Sequence, residues 1–77
     1  MEQLIGDIVK DLVDKPDEVT VTPVESERTV IYELRVGDGD LGKVIGKHGR
    51  TAQAIRTIIS AISAKGGGKR ALLEIVE

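Results

Sequence analysis

Residues 40–64 read DLGKVIGKHGRTAQAIRTIISAISA, and this stretch decides the fold. Gly46 and Gly49 bracket Lys47 and His48, between a short apolar run and a longer one with helical spacing. With no Cβ at either glycine, the chain can reverse tightly between two helices and let a second backbone approach closely. A helix starting at Arg50 brings unpaired amide protons and the positive end of its dipole, both of which stabilise phosphate oxygens. Lys43, Lys47 and Arg50 add positive charge around the same point.

Upstream, Leu4, Ile5, Ile8, Val9, Leu12 and Val13 recur every three or four residues, which predicts a helix over residues 2–14 stopped by Pro16. Alternation of Val19 and Val21 with Thr20 and Thr22 predicts a strand over residues 18–25, which Pro23 demotes to a sheet edge. A second strand over residues 29–36 puts Val30, Tyr32, Leu34 and Val36 in one register and can pair with the first as a hairpin. Tyr32, the only aromatic residue, reads as a structural sheet residue, because a base-stacking platform usually offers more than one ring.

Asp38 or Asp40 is placed to cap a short helix over residues 41–45. From Arg50 to about Ala64, Ala54, Ile55, Ile58, Ile59 and Ile62 form the inward stripe of a longer helix, with Gln53, Arg56, and Thr57 or Ser60 facing out. Four isoleucines are poor helix formers, so packing has to hold this helix. After Gly66, Gly67 and Gly68, residues 70–77 supply a last strand with Leu73 and Ile75 facing in. The order is helix, strand, strand, short helix, helix, strand, an α+β class. The 24 Leu, Ile and Val residues suffice to cover one face of a three-stranded sheet with three helices and leave the other face open.

A chain of 77 residues builds one small domain with a marginal core. It has no cysteine, which excludes disulfides, thiol catalysis and thiolate zinc sites. No apolar run reaches the length of a membrane span and the N-terminus lacks the pattern of a secretory signal, so a cytoplasmic location is expected. The net charge of −2 conceals a strong asymmetry. Residues 1–40 carry eleven acids against four bases, net −7, whereas residues 41–77 carry seven bases against two acids, net +5. No acid occurs between Leu41 and Leu73, and such a segregated field attracts a polyanion even from a weakly acidic molecule.

Other readings of the glycines fail. Gly37, Gly39 and Gly42 spell G-x-G-x-x-G, but Asp38 and Asp40 would repel a pyrophosphate and the chain is too short for a dinucleotide-binding domain. In a Walker A loop Gly42 stands one residue too near Gly46, and His48 occupies the place of the magnesium-binding hydroxyl. His48 is the sole histidine and has no nucleophile paired with it, so no enzymatic function and no catalytic residue is expected. Asp7, Asp11 and Asp14 read as the solvated face of the first helix, and no metal site or cofactor is expected.

Val44, Ile45, Gly46, Lys47, His48 and Gly49, followed by Ala54 and Ile55, resemble the VIGxxG signature of KH RNA-binding domains, whose GXXG loop clamps nucleotide backbones. The extra helix and strand at the N-terminus resemble the type II, prokaryotic KH topology. The chain is similar, more narrowly and over its whole length, to the small stand-alone bacterial KH proteins of the KhpA/YlqC-like family. The resemblance implies one KH domain over residues 1–77 that grips about four nucleotides of single-stranded RNA. It implies that Gly46, Lys47, His48 and Gly49 hold phosphates, with Lys43 and Arg50 beside them. Val44, Ile45, Ala54 and Leu72 or Leu73 would then support bases, and residues 65–70 form a short variable loop. It further implies an RNA chaperone or post-transcriptional regulator. As an alternative it implies a protein-interaction subunit, forming a homodimer, or a heterodimer with a larger Jag-like KH protein, linked to cell-shape and cell-envelope (cell wall) control. His48 stands where arginine or lysine is common, and histidine carries less charge at neutral pH.

Overall fold

In the computed structural model, which describes residues 1–77, helix α1 spans Glu2–Lys10 and is followed by a 3-10 turn at Pro16–Glu18. Strands β1 (Thr20–Glu25) and β2 (Thr29–Arg35) lead into the short helix α2 (Leu41–Ile45). A 3-10 turn at Lys47–Gly49 then joins α2 to the long helix α3 (Arg50–Gly66), and strand β3 (Arg70–Ile75) closes the fold. The sheet order is β1-β2-β3, with β1 antiparallel and β3 parallel to the central β2. This is the mixed three-stranded sheet and element order expected from the sequence.

The core lies on one face of that sheet. Ile5 and Val9 of α1, Val44 of α2 and Ile55 and Ile59 of α3 pack on Val30, Leu34, Ala71 and Leu73, with Val19 just before β1. Only 13 of 77 residues are buried, so each of these aliphatic side chains carries a large share of a small core. Tyr32 is half-buried against the same cluster, as a structural sheet residue. Pro23 lies within β1, opposite Tyr32, and β1 is an edge strand where the missing amide proton breaks no ladder. On the opposite face, Val24, Ile31 and Leu72 align across the three strands and remain partly or fully exposed.

Three local expectations need correction. The first helix ends at Lys10, four residues early: the Leu12 amide turns to the Val9 carbonyl at 2.9 Å, and the amides of Asp14 and Lys15 are taken by the Asp40 carboxylate at 3.3 and 2.9 Å. The same bonds show that Asp40, although it sits at the N-cap position of α2, makes no side-chain cap there. Asp38 does not cap α2 either; its carbonyl accepts a hydrogen bond from Lys15 Nζ at 2.9 Å.

The inward stripe of α3 is rotated from its expected position. Ala52, Ile55 and Ile59 are buried, whereas Ala54 is exposed and Ile58 and Ile62 are each 44% exposed. With this rotation Ser63 faces β3, accepting the Ala71 amide at 3.0 Å and donating to the Lys69 carbonyl at 3.1 Å. Gly67, left-handed at φ 69°, then terminates the helix.

Asp40 is 2% exposed, and it is the one buried charged residue. Burial acts to raise its pKa, but the amides of Lys15 and Asp14, helped by the charges of Lys43 and Lys15, outweigh burial and hold it below the usual aspartate value. A carboxyl depressed in the native state stabilises the fold above its unfolded pKa, about 3.9, and loses that contribution as pH falls through the lower native value. The wild-type chain should therefore lose stability on acidification through this window. Asp40→Asn should be less stable at neutral pH and show a flatter acid limb, as read by urea denaturation at pH 7 and pH 3.

Candidate nucleic-acid interface

The loop between α2 and α3 is built from backbone conformations that few residues tolerate. Gly46 has φ 76° and ψ 175°, a region essentially restricted to glycine. A Cβ there would also collide with the Thr51 side chain and approach the Thr51 amide at 2.9 Å. Gly49 has φ 74° and ψ 12°, yet a Cβ there would meet nothing within 4 Å. The two glycines thus have different causes: packing inside the chain demands the first, and the second leaves open space over the start of α3. His48 lies between them at φ 58°, the only residue other than glycine with positive φ.

Inward bonds hold this geometry. The Gly46 amide donates to the Gly42 carbonyl at 2.9 Å and the Gly49 amide to the Gly46 carbonyl at 3.1 Å. Val44 is fully buried and seats α2 in the core, so its side chain anchors the loop from below. Lys47, His48 and Arg50 stand exposed around the turn, at the N-terminus of the 17-residue α3.

Of the seven bases in residues 41–77, Lys43 alone is paired. Its ammonium lies 2.7 Å from Asp14 Oδ2 and 3.7 Å from Asp40 Oδ1. The hydrogen bond and charge of Asp14, then Asp40, raise the Lys43 pKa against the opposing effect of desolvation. Lys43 therefore ties α2 to the segment after α1. Lys47, Arg50, Arg56, Lys65, Lys69 and Arg70 have no carboxylate within 4.0 Å.

From the glycine loop, a groove runs between α3 and β3. One cavity of about 260 Å³ is lined by Ile45, Gly49, Ala52, Arg56, Ile75 and Glu77. A second of about 120 Å³ is lined by Arg56, Ile59, Ser60, Ala71, Leu72 and Leu73. Of the expected residues, Ile45, Gly49, Leu72 and Leu73 line these cavities, and Gly46, Lys47, His48 and Arg50 form the adjoining loop. Ala54 lies outside both, whereas Ala52 lines the larger one. Arg56, Ala52 and Ile75 were not singled out from the sequence as binding residues. The four-residue spacing of Ala52, Arg56 and Ser60, which shares one helix edge, is the signal that could have found Arg56.

A mixed sheet of this topology, helices on one face and a GXXG turn between the last two helices, defines a type II KH domain. The sequence profile of the KhpA/KhpB KH domain matches residues 2–75, and the chain belongs to that family. It is 52% identical over 77 residues to the RNA-binding protein KhpA of Aquifex aeolicus, covering 100% of this chain and 96% of that one. The RNA-binding protein KhpA of Clostridium acetobutylicum is 53% identical over 76 residues, covering 99% and 100%. That of Listeria monocytogenes is 49% identical over 77 residues, covering 100% of both. No solved structure matches the chain.

No helix is long and apolar enough to cross a membrane, and no group of three or more histidine, aspartate or glutamate residues could hold a metal ion. The two loop glycines should respond differently to substitution. Gly46→Ala should destabilise the fold by about 1–3 kcal/mol from its backbone alone, and further through Thr51. Gly49→Ala should cost about 1–2 kcal/mol. Thermal unfolding of the two variants checks the order.

Proposed function

We propose that residues 1–77 act as one single-stranded RNA-binding unit, a chaperone or post-transcriptional regulator working in the cytoplasm. The observation that carries this reading is the exposed, ion-pair-free set of Lys47, Arg50 and Arg56 along a glycine loop and groove. The fold class uses this loop to clamp backbone nucleotides, and the names of the relatives record RNA binding for those proteins. Gly46, Lys47, His48 and Gly49 hold phosphates, Arg50 and the start of α3 add positive potential, and about four nucleotides follow the groove toward β3. Open space at Gly49 admits the sugar-phosphate backbone. The phosphate contacts position the strand without reading its sequence.

Reversing the loop charge tests this directly. Lys47→Asp with His48→Asp should abolish binding of a single-stranded RNA oligonucleotide in a fluorescence titration while the circular dichroism spectrum is retained. A folded double variant with unchanged affinity would refute the proposed clamp. For the wild-type chain, two to four phosphate contacts correspond to a log-log salt slope of about −1.4 to −2.8.

A second reading rests on a separate surface. Ile58 and Ile62 lie one turn apart on α3, 44% exposed, with exposed Ala54 one turn before them. This apolar ridge suits a homodimer, or a heterodimer with a larger Jag-like KH protein, through which a role in cell-shape and envelope control would follow. Burying it would add apolar contact that so small a core lacks. Ile58→Asp should shift the chain to monomer in sedimentation velocity at a concentration where wild type is dimeric; a monomeric wild type at high concentration would remove the homodimer.

A further inference from the structure

A groove between a helix and an edge strand occurs twice in this fold. The sheet order puts β1 and β3 at opposite edges, and the groove beside β3 carries Arg56 and adjoins the basic glycine loop. Beside β1, a cavity of about 460 Å³ lies between α1 and the strand, with Glu2, Gly6, Asp7 and Lys10 of one helix face and Val19 and Val21 in its lining. Its charge is of the other sign. Neither Glu2 nor Asp7 makes an ion pair, and Lys10 is the only cation in the lining. Residues 1–25 carry seven acids against two bases, and the second base, Lys15, turns its ammonium to the Asp38 carbonyl. Such a field repels a nucleic acid and attracts lysine and arginine.

Two features keep this groove open. Gly6 stands in the middle of α1, where glycine is less stable than alanine. Packing does not demand it, because a Cβ there would meet only Val21 Cγ2, at an ordinary contact distance of 3.9 Å. Its effect is to leave out a side chain beside Val21. The strand edge is the second feature. The Ser26 amide bonds to the Thr29 carbonyl, and alternation back along β1 turns the backbone of Thr20, Thr22 and Val24 toward β2 and that of Val21, Pro23 and Glu25 outward. Pro23 lacks an amide proton and Glu25 is charged, which blunts the far half of the edge. The near half has no such guard. Val21 presents an unpaired amide and carbonyl beside the groove, and Val19 before it is already extended at φ −79° and ψ 124°. We propose that the groove between α1 and β1 takes an extended, lysine- or arginine-bearing segment of a partner protein. The segment adds to the edge at residues 19–21 as a short strand and sets its basic side chains against Glu2 and Asp7. This site is independent of the RNA-binding reading and lies at the opposite edge of the sheet, so the two can be occupied together.

The test uses a fluorescein-labelled peptide of alternating lysine and threonine, read by anisotropy. The wild-type chain should bind it, and the same peptide with glutamate in place of lysine should bind at least tenfold more weakly. Successive amides of a strand point to opposite sides, so N-methylation of the lysines alone, or of the threonines alone, removes one row of donors. One of these two patterns should abolish binding and the other should leave it within threefold. Gly6→Gln, which fills the groove, and Glu2→Lys with Asp7→Lys should each weaken peptide binding at least tenfold while keeping the wild-type circular dichroism spectrum. Gly6→Ala should unfold at a higher temperature than wild type and weaken binding less than threefold. Equal effects of the two methylation patterns would reveal a diffuse charge contact without strand addition and overturn the proposal. Wild-type affinity in Gly6→Gln or in the charge-reversed variant would overturn it as well, as would failure of the wild-type chain to bind the peptide. Self-association in sedimentation velocity that Gly6→Gln abolishes would give the groove to a second copy and overturn its assignment to a partner protein.

Discussion

The Asp40 carboxylate is a junction on which the placement of α2 and of the glycine loop after it depends. It is buried at the start of α2, and it accepts hydrogen bonds from the amides of Asp14 and Lys15 rather than from the helix it precedes. Lys43, one turn into α2, closes the junction by pairing with both Asp40 and Asp14. A buried carboxylate is tolerated when it is both paired and hydrogen-bonded, and this one has two amides and a nearby ammonium. The consequence is mechanical. The acidic N-terminal segment and the short helix carrying the glycine loop are fastened together by polar contacts, in a protein whose apolar core is small.

Above that junction the loop is held by fit rather than by charge. Val44 anchors α2 from below, and Thr51 fills the space that a side chain at residue 46 would need. The left-handed residues His48 and Gly49 then turn the chain directly into α3. Because these demands are met by backbone and aliphatic groups, the exposed cations around the loop are spared structural duty. Lys47, Arg50 and Arg56 remain without acidic partners, while Lys43, nearest the junction, is used to hold it. The charge asymmetry of the sequence thus becomes a division of labour: acids of the first half pair at the junction, pair with Arg35 or face solvent, and the free bases Lys47, Arg50 and Arg56 stand beside an apolar groove.

Much of this was legible in advance. The element order, the edge position of β1, the inward register of Val30, Leu34 and Leu73 and the turn at Gly46–Gly49 all follow from short-range patterns. Periodicity reports the face a side chain occupies, and a proline or glycine reports what the backbone cannot or must do. The rotation of α3 was not legible. Ala52 and Ala54, or Ile58 and Ile59, are chemically alike, so spacing alone cannot choose which of two overlapping stripes meets the sheet. The end of α1 was likewise hidden, since the group that claims the Asp14 and Lys15 amides lies some 25 residues away in sequence.

The sequence by itself therefore determined the class of fold and the presence of a glycine-bracketed basic loop, because both are written in local residue types and their spacing. Only the tertiary structure decided which of those residues are available to a ligand. It turned Lys43 from a loop cation into a strut, put Val44 beneath the surface, lined the groove with Ala52 and not Ala54, and brought Arg56 to the seam of two cavities. The physical reason is that availability is a relation between elements distant in the chain. A cation is free only if no acid folds back onto it, and a helix residue lines a groove only once a strand is packed opposite.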